Sequence, residues 1–431
     1  MPITILLFVF IVGAEYLGLG NYIPLYKKLP IPLLISFALF LHVLNKNSVS
    51  EVLEHKQVKY YLFFIMLTAS AMVHGLIHSY AIEPVKTQIG YFMLTVIAFF
   101  LIDNQKKAVL YASVFAIAHV LIIFANLDKF GQARTGYFKA SFFLGDGNDF
   151  AWSLNIALPL AMFLIFSFKK PLYKAIFTAT ALFLLLGIVG TQSRGAFLAL
   201  AAGFLYYLFF ITEKKSSGIM LVLVVAISVV VFAPSNYFSR METISSYEQD
   251  SSAMGRIKAW RSATEMAIDN PVLGVGAGSF NSAYGRFYRR PGDPVRWIST
   301  HSVFFKILGE YGFLGLFVYL MVIYHNFKTN FRTIQLIKEN VNKVDLDILW
   351  PKCVNWSLVC CSVGSMFLSG VSYPHLFLLT GLTISASRIV TSQINNYSGD
   401  DDADANANKS TRWYDMQEKE FNPLSNVKEW K

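Results

Sequence analysis

The chain has 431 residues, of which 55% are hydrophobic, 16% aromatic and only 15% charged, and its formal net charge is +10. Soluble domains average about 25% charged residues, so this composition excludes an ordinary soluble globular protein. The lysines lie in short patches between apolar runs, as in cytoplasmic loops of membrane proteins, and this pattern argues against nucleic-acid binding.

Apolar runs of about 20 residues recur along the chain, and each is long enough to cross a bilayer as a helix. They predict an all-α fold, a polytopic membrane helix bundle with about 12 transmembrane helices over residues 1–391. The predicted spans are 2–19, 30–45, 59–78, 87–103, 107–125, 150–168, 174–191, 194–212, 217–233, 302–325, 353–370 and 374–391.

Lysine-rich connections between spans alternate with lysine-poor ones, and Lys106, Lys169 and Lys214 belong to the lysine-rich set. The positive-inside rule places that set in the cytoplasm. Both termini are then cytoplasmic, and residues 234–300 form a long periplasmic loop inserted in the bundle. Lys27–Lys28 in the first outer loop run against this orientation for the first two spans.

The apolar run 175–212 contains one charged residue, Arg194. A continuous helix of that length would be about twice the bilayer thickness, so the run must turn. Gly190 and Gly195 bracket the turn and put Arg194 at the outer interface, because an arginine at the bilayer centre would cost at least about 2.5–3.5 kcal/mol. Two interpretations stay open: a ligand-binding arginine, or a helix-end arginine that snorkels to lipid phosphates.

The long loop predicts an amphipathic helix near 254–268, with Arg256 and Arg261 flanking its apolar face. That face would comprise Ile257, Trp260, Ala267 and Ile268. His301 ends the loop and begins the next span. Its imidazole is a candidate general base that titrates near neutrality, and the alternative is a wetted polar residue at a helix N-terminus.

Two further motifs carry structural interpretations. The segment Gly145–Asp149 precedes the sixth span and offers Asn148 or Asp149 as its N-cap, with too few nearby ligands to predict a metal site. The segment Gly274–Gly278 lacks the strand and helix of a dinucleotide loop and predicts a turn with close backbone approach. The polar, acidic tail 392–431 predicts a disordered cytoplasmic segment.

Arg194, Arg256, Arg261 and His301 therefore map to one predicted side of the membrane. Guanidinium groups bind phosphate through bidentate hydrogen bonds, so the three arginines are candidate ligands for the pyrophosphate of a membrane lipid. A transporter or flippase would also have many spans, but such proteins place ionisable residues or broken helices near mid-membrane.

Four blocks resemble, in order, the successive motifs of the O-antigen ligase and polymerase superfamily. They are Gly190–Ala199, Arg256–Trp260, Asp269–Phe280 and Thr300–Gly315. The blocks Gly145–Asn155 and Arg286–His301 also resemble the O-glycosylation ligases associated with exosortase systems. Members of the superfamily commonly have Asn after the His, where this chain has Ser302.

The resemblance implies a multi-pass enzyme of the bacterial inner membrane with a GT-C-like helical fold and a periplasmic active site. It implies transfer of a glycan from undecaprenyl diphosphate to a hydroxyl of lipid A core, a protein or another glycan, without a cofactor or a metal. Carried over by position, Arg194 and Arg256 bind the diphosphate, Arg261 is the reserve, and His301 activates the acceptor. A polymerase of the same superfamily would show the same motifs.

Overall fold

The computed structural model describes most of the chain, and every regular element in that part is helical, which confirms the predicted all-α class. The described residues are 2–23, 26, 31–130, 138–212, 214–216, 218–220, 223, 251–290, 297–340, 348–368 and 370–400. The helices are α1 Ile3–Leu17, α2 Ile31–Lys46, α3 Val49–Leu53, α4 Lys56–His74, α5 Ile82–Leu101, α6 Gln105–Ala125, α7 Gly147–Ser167, α8 Pro171–Gly190, α9 Arg194–Tyr206, α10 Ser251–Asp269, α11 Phe280–Ala283, α12 Val303–Glu339, α13 Leu349–Gly364 and α14 Pro374–Asp400.

Within the described residues, six helices are long and apolar enough to cross a membrane. They are α5 with the turn that precedes it, α6, α7, α8, α9 with the π-helical turn that follows it, and α12. The shorter helices α1 and α2 are also apolar. The chain is a multi-pass membrane helix bundle. Most of the predicted span 217–233 lies outside the described residues, as does the tail beyond Asp400.

The predicted break in the long apolar run is confirmed between α8 and α9. Gly190 ends α8 against the ring of Phe130, where an added Cβ would be 2.8 Å from Cδ1 of that ring. Gln192 takes a positive φ of 54° and is buried, and the chain re-enters a helix at Arg194. Two helices joined by a turn thus replace one helix that would be too long for the bilayer.

The bundle is packed around α7, which contacts α6, α8 and α13 and is buried over most of its length. The helix α12 packs on α4, α13 and α14. Inside the bundle, Asn326 donates to Thr380 Oγ1 at 2.8 Å and Asn330 donates to Thr383 Oγ1 at 3.0 Å. Such hydrogen bonds between apolar helices fix their register where the hydrophobic effect does not.

The amphipathic helix predicted in the long loop is confirmed as α10, which lies against α12 and has a small apolar core of its own. The predicted face was partly wrong, because the side chains of Ile257 and Ile268 are exposed. Ala267 of the predicted face is buried, together with Ala259, Ala263 and Met266. Cα of Ala263 lies 3.3 Å from where a Cβ on Gly309 would stand. Small residues let α10 and α12 approach closely.

The helix α12 is longer than its predicted span and is broken at Gly312, where φ is 66° and ψ is −166°. The glycine-rich turn 274–278 lies against the break, as its interpretation as a close-approach turn predicts. Val275 N donates to the carbonyl of Gly309 at 3.0 Å, and Gly276 N donates to that of Glu310 at 2.9 Å. The loop thereby provides hydrogen bonds to carbonyls that the interrupted helix does not use.

Candidate functional site

Arg194 is the first residue of α9 and follows directly on its capped N-terminus. The Oγ of Ser193 accepts a hydrogen bond from Ala196 N at 3.3 Å. A helix N-terminus carries about half a positive charge, so the α9 start adds to the guanidinium in attracting an anion. Arg194 is partly exposed, as a ligand-binding side chain must be.

His301 is presented by a strained backbone between two buried neighbours. Its φ is 46°, and its side chain is exposed, whereas Thr300 and Ser302 are buried. The hydroxyl of Thr300 donates to the carbonyl of Ser302 at 2.9 Å, and Ser302 Oγ caps α12 by accepting from Phe305 N at 3.5 Å. Ser302, which stands where the superfamily commonly has Asn, therefore serves as a helix cap.

Among the described residues, Gln192 and His301 are the two that are not glycine and have a positive φ. Such a conformation costs a non-glycine residue about 1–3 kcal/mol and occurs preferentially at functional sites. One of the two lies two residues before Arg194, and the other is the predicted base. The strain therefore falls at the predicted base and two residues before the predicted arginine.

The loop helix α10 is attached to the residue before His301. Trp260 Nε1 donates to the carbonyl of Thr300 at 2.9 Å, and the indole stacks on Phe305 with ring centroids 4.9 Å apart and planes 7° apart. Arg256 lies one turn before Trp260, about 40° away around a helix that turns about 100° per residue. Arg256 is thus on the same face of α10 as Trp260, which contacts the residue before His301.

Arg261 has a different environment on the same helix. Its Nε donates to Glu265 Oε1 at 2.8 Å, and its side chain is 57% exposed. This i,i+4 ion pair lies on the solvent side of the helix and occupies the guanidinium group. The carboxylate of Glu265 would also repel a diphosphate. Arg261 is thus held by a carboxylate, and the choice of Arg256 with Arg261 as the reserve stays a prediction.

The start of α9 and the start of α12 meet at one turn, which follows α13. The carbonyl of Ser365 accepts from Val303 N at 2.8 Å. Phe367 packs on the first turn of α9, where a Cβ on Gly195 would be 2.7 Å from the Cβ of Phe367. The backbone beside Arg194 and the backbone two residues after His301 thus contact the same short segment, although more than a hundred residues separate them.

The carboxyl group of Asp149, predicted as a possible helix cap, contacts a residue that follows the turn 365–367 in sequence. Asp149 Oδ2 accepts a hydrogen bond from the hydroxyl of Tyr373 at 3.2 Å. Burial raises the pKa of Tyr373, and the negative charge of the nearby Asp149 raises it further. The phenol therefore stays protonated at neutral pH. The N-cap of α7 is Asp146, which accepts from Asn148 N at 2.7 Å, so the predicted choice of Asn148 or Asp149 was wrong.

Asp149 is therefore available for a side-chain contact, because its neighbour performs the capping. The sequence signal was present in the segment Gly145–Asp149, but the partner lies 224 positions away. In the described part of the chain, no group of three or more His, Cys, Asp or Glu is placed to hold a metal ion.

Comparison with known proteins gives a family match for one segment. Residues 179–320, a third of the chain, match the model described as O-antigen ligase. The match supports membership of the O-antigen ligase superfamily. The match also supports an activity of the general type found in this superfamily, that of a glycan ligase or polymerase. The matched segment contains all four predicted site residues, and no curated protein matches the chain.

Proposed function

We propose that this protein is a glycan ligase that transfers an oligosaccharide or polysaccharide from undecaprenyl diphosphate to an acceptor hydroxyl at the periplasmic face of the bacterial inner membrane. The observation that supports this proposal most is that the first residues of α9 and α12, next to Arg194 and His301, both contact the turn 365–367. The O-antigen ligase match over 179–320 supports the reaction class.

Arg194 and Arg256 bind the diphosphate in this proposal. The acceptor oxygen attacks the anomeric carbon of the donor sugar, and the bond from that carbon to the diphosphate oxygen breaks. The diphosphate departs with the bonding pair, so its negative charge grows in the transition state. Two guanidinium groups and the N-terminus of α9 stabilise that charge without a metal.

His301 accepts the proton of the acceptor hydroxyl as the new glycosidic bond forms. An imidazole suits this step because its ordinary pKa lies near neutrality, and general base catalysis contributes about 10²–10⁴-fold. The exposed position of the ring and its fixed φ of 46° present it to an incoming acceptor. The alternative of an idle wetted histidine gives no reason for backbone strain at this residue.

A polymerase of the same superfamily is the second candidate, since the matched segment supports both activities. It would use the same groups but accept a lipid-linked glycan, so its products grow by successive repeats. A transporter is less well supported. The break in α12 at Gly312 is a feature of transporter helices, but here the loop 274–278 packs against it.

The test is glycan transfer in proteoliposomes that contain purified protein, a lipid-diphosphate glycan and lipid A core, protein or glycan acceptors. We expect Arg194→Ala and Arg256→Ala to lower the rate about 10–100-fold, as loss of a charge-assisted contact of about 1.5–3 kcal/mol implies. His301→Ala should lower it by 10²-fold or more.

The matched control is Arg261→Ala, which removes the same charge from the same helix and should change the rate less than threefold. Equal losses in Arg256→Ala and Arg261→Ala would reverse the choice between them. Full activity of both Arg194→Ala and His301→Ala would remove the site. Single additions to the acceptor indicate a ligase, and a ladder of repeats indicates a polymerase.

A further inference from the structure

A polar cavity lies at the other end of the bundle from the candidate site. It is formed by the start of α4, the later turns of α12 and one position of α14. The candidate site precedes the break of α12 at Gly312, whereas His325 is 13 residues after the break, or about 20 Å at about 1.5 Å per residue. The positive-inside rule places Lys56, Lys328 and Arg332 in the cytoplasm, which assigns the cavity to the membrane surface opposite the predicted periplasmic loop.

The cavity walls are fixed by contacts between helices. Gln57 Nε2 donates to Thr329 Oγ1 at 3.2 Å, which joins α4 to α12. The ring of His325 stacks on Tyr60 with centroids 5.4 Å apart and planes 16° apart. The cavity volume is about 50 Å³, and Lys56, Gln57, His325, Lys328, Thr329 and Arg332 line it.

The charge of this lining is one-sided. Lys56, Lys328 and Arg332 are its cationic side chains, and no Asp or Glu of the described residues lines the cavity. Glu339, farther along α12, interacts electrostatically with Arg332. His55 also lines it, but burial lowers the pKa of His55 to about 4, so that its ring is neutral. At the same end of the bundle, Glu51 lies 3.5 Å from Arg388 and is engaged there.

We propose that this cavity binds a phosphate group, either that of an anionic phospholipid or a soluble phosphate, at the membrane surface opposite the glycan-transfer site. An arginine fork, two ammonium groups and hydroxyl donors are the side chains that bind phosphate oxygens. Basic pockets between transmembrane helices bind acidic lipid head groups in this way. The binding is independent of the proposed transfer reaction, because no site residue of that reaction lines the cavity.

The lipid source agrees with the position of the cavity at the membrane surface. Tyr324 is 45% exposed on α12, and the Nζ of Lys328 lies 5.9 Å from its ring centroid. Tyrosines at this depth lie among lipid head groups, which would bring the phosphate of an acidic lipid beside Lys328. A soluble phosphate would reach the same cavity from the aqueous phase.

The test measures lipid and phosphate binding by the full-length protein in two arms. In the first arm, native mass spectrometry follows retention of phosphatidylglycerol or cardiolipin against phosphatidylcholine. In the second arm, thermal unfolding in detergent is followed as inorganic phosphate is added, with chloride at equal ionic strength as the reference. The variant Lys328→Gln/Arg332→Gln removes two cations from the cavity, and Lys338→Gln removes an exposed cation from the same helix outside it.

We expect acidic lipid to bind the wild type and Lys338→Gln equally and to bind the double variant at least tenfold more weakly. Stabilisation by inorganic phosphate that the double variant loses would assign the cavity to a soluble phosphate. Equal binding of lipid and equal response to phosphate in all three proteins would overturn the proposal. Circular dichroism and gel filtration of the double variant show whether it is folded, and the single variant Lys328→Gln replaces it if it is not.

Discussion

The hydrogen bond from Trp260 to Thr300 offers a sharp test of how His301 is positioned. The change Trp260→Phe removes the 2.9 Å bond to the carbonyl of Thr300 but keeps a ring that can stack on Phe305. Thr300 is fully buried, so loss of this donor costs about 1–3 kcal/mol. The φ of 46° at His301 costs about 1–2 kcal/mol by itself, which is enough for the backbone to relax once the bond is gone.

A relaxed backbone would move the imidazole away from the acceptor. At about 1.4 kcal/mol per tenfold, we expect kcat for glycan transfer to fall about 5–100-fold, with little change in KM for the lipid-diphosphate donor. The measurement is steady-state transfer in proteoliposomes, with thermal unfolding of the same preparation. Trp297→Phe is the control, because this exposed tryptophan lies in the loop before Thr300, and it should keep the wild-type rate. Wild-type kcat in Trp260→Phe would refute the positioning role.

Three further predictions concern stability. Gly276→Ala puts a Cβ at φ 96° into contact with the backbone of Gly75 and should cost at least about 2 kcal/mol, whereas Gly90→Ala has open space and should be neutral or stabilising in thermal unfolding. Asn326→Ala should lower the free energy of unfolding by about 1 kcal/mol in the same assay, because it breaks a hydrogen bond between α12 and α14; an unchanged melting temperature would contradict this. Burial lowers the pKa of His55 from about 6.5 in the unfolded chain to about 4 in the folded protein. As the pH falls, the unfolded chain therefore binds a proton at this residue before the folded protein does. The free energy of unfolding should fall by about 2 kcal/mol between pH 7 and pH 5. His55→Gln should reduce that loss, and an identical pH profile would show that His55 is not its source.

Hydropathy predicted the helices well because crossing a bilayer requires about 20 apolar residues, and this requirement is local in sequence. The break of the run 175–212 near Gly190 followed from length alone and is confirmed. The extent of α12 could not be predicted in this way. Its first two turns pack on α10 before the break at Gly312, so they are apolar for a reason other than the membrane.

The candidate site was only partly predictable, because residue types identify charged candidates but not their supports. The sequence singled out Arg194 and His301, and their neighbours meet at one turn. It gave no sign that the indole of Trp260 would bind the backbone beside His301, since main-chain carbonyls look alike in every sequence. The contact of Asp149 with Tyr373 was equally hidden, because it joins elements 224 positions apart.

The central claim is that Arg194 and His301 lie in one cavity at one membrane surface. The most direct measurement is thiol cross-linking in native membranes of an Arg194→Cys/His301→Cys variant whose three native cysteines are replaced by alanine. A short bifunctional reagent should join the two positions within one chain, and the same reagent should fail for His301→Cys/Lys328→Cys. Absence of the first product, while both single thiols are labelled from opposite sides of the membrane, would contradict the account.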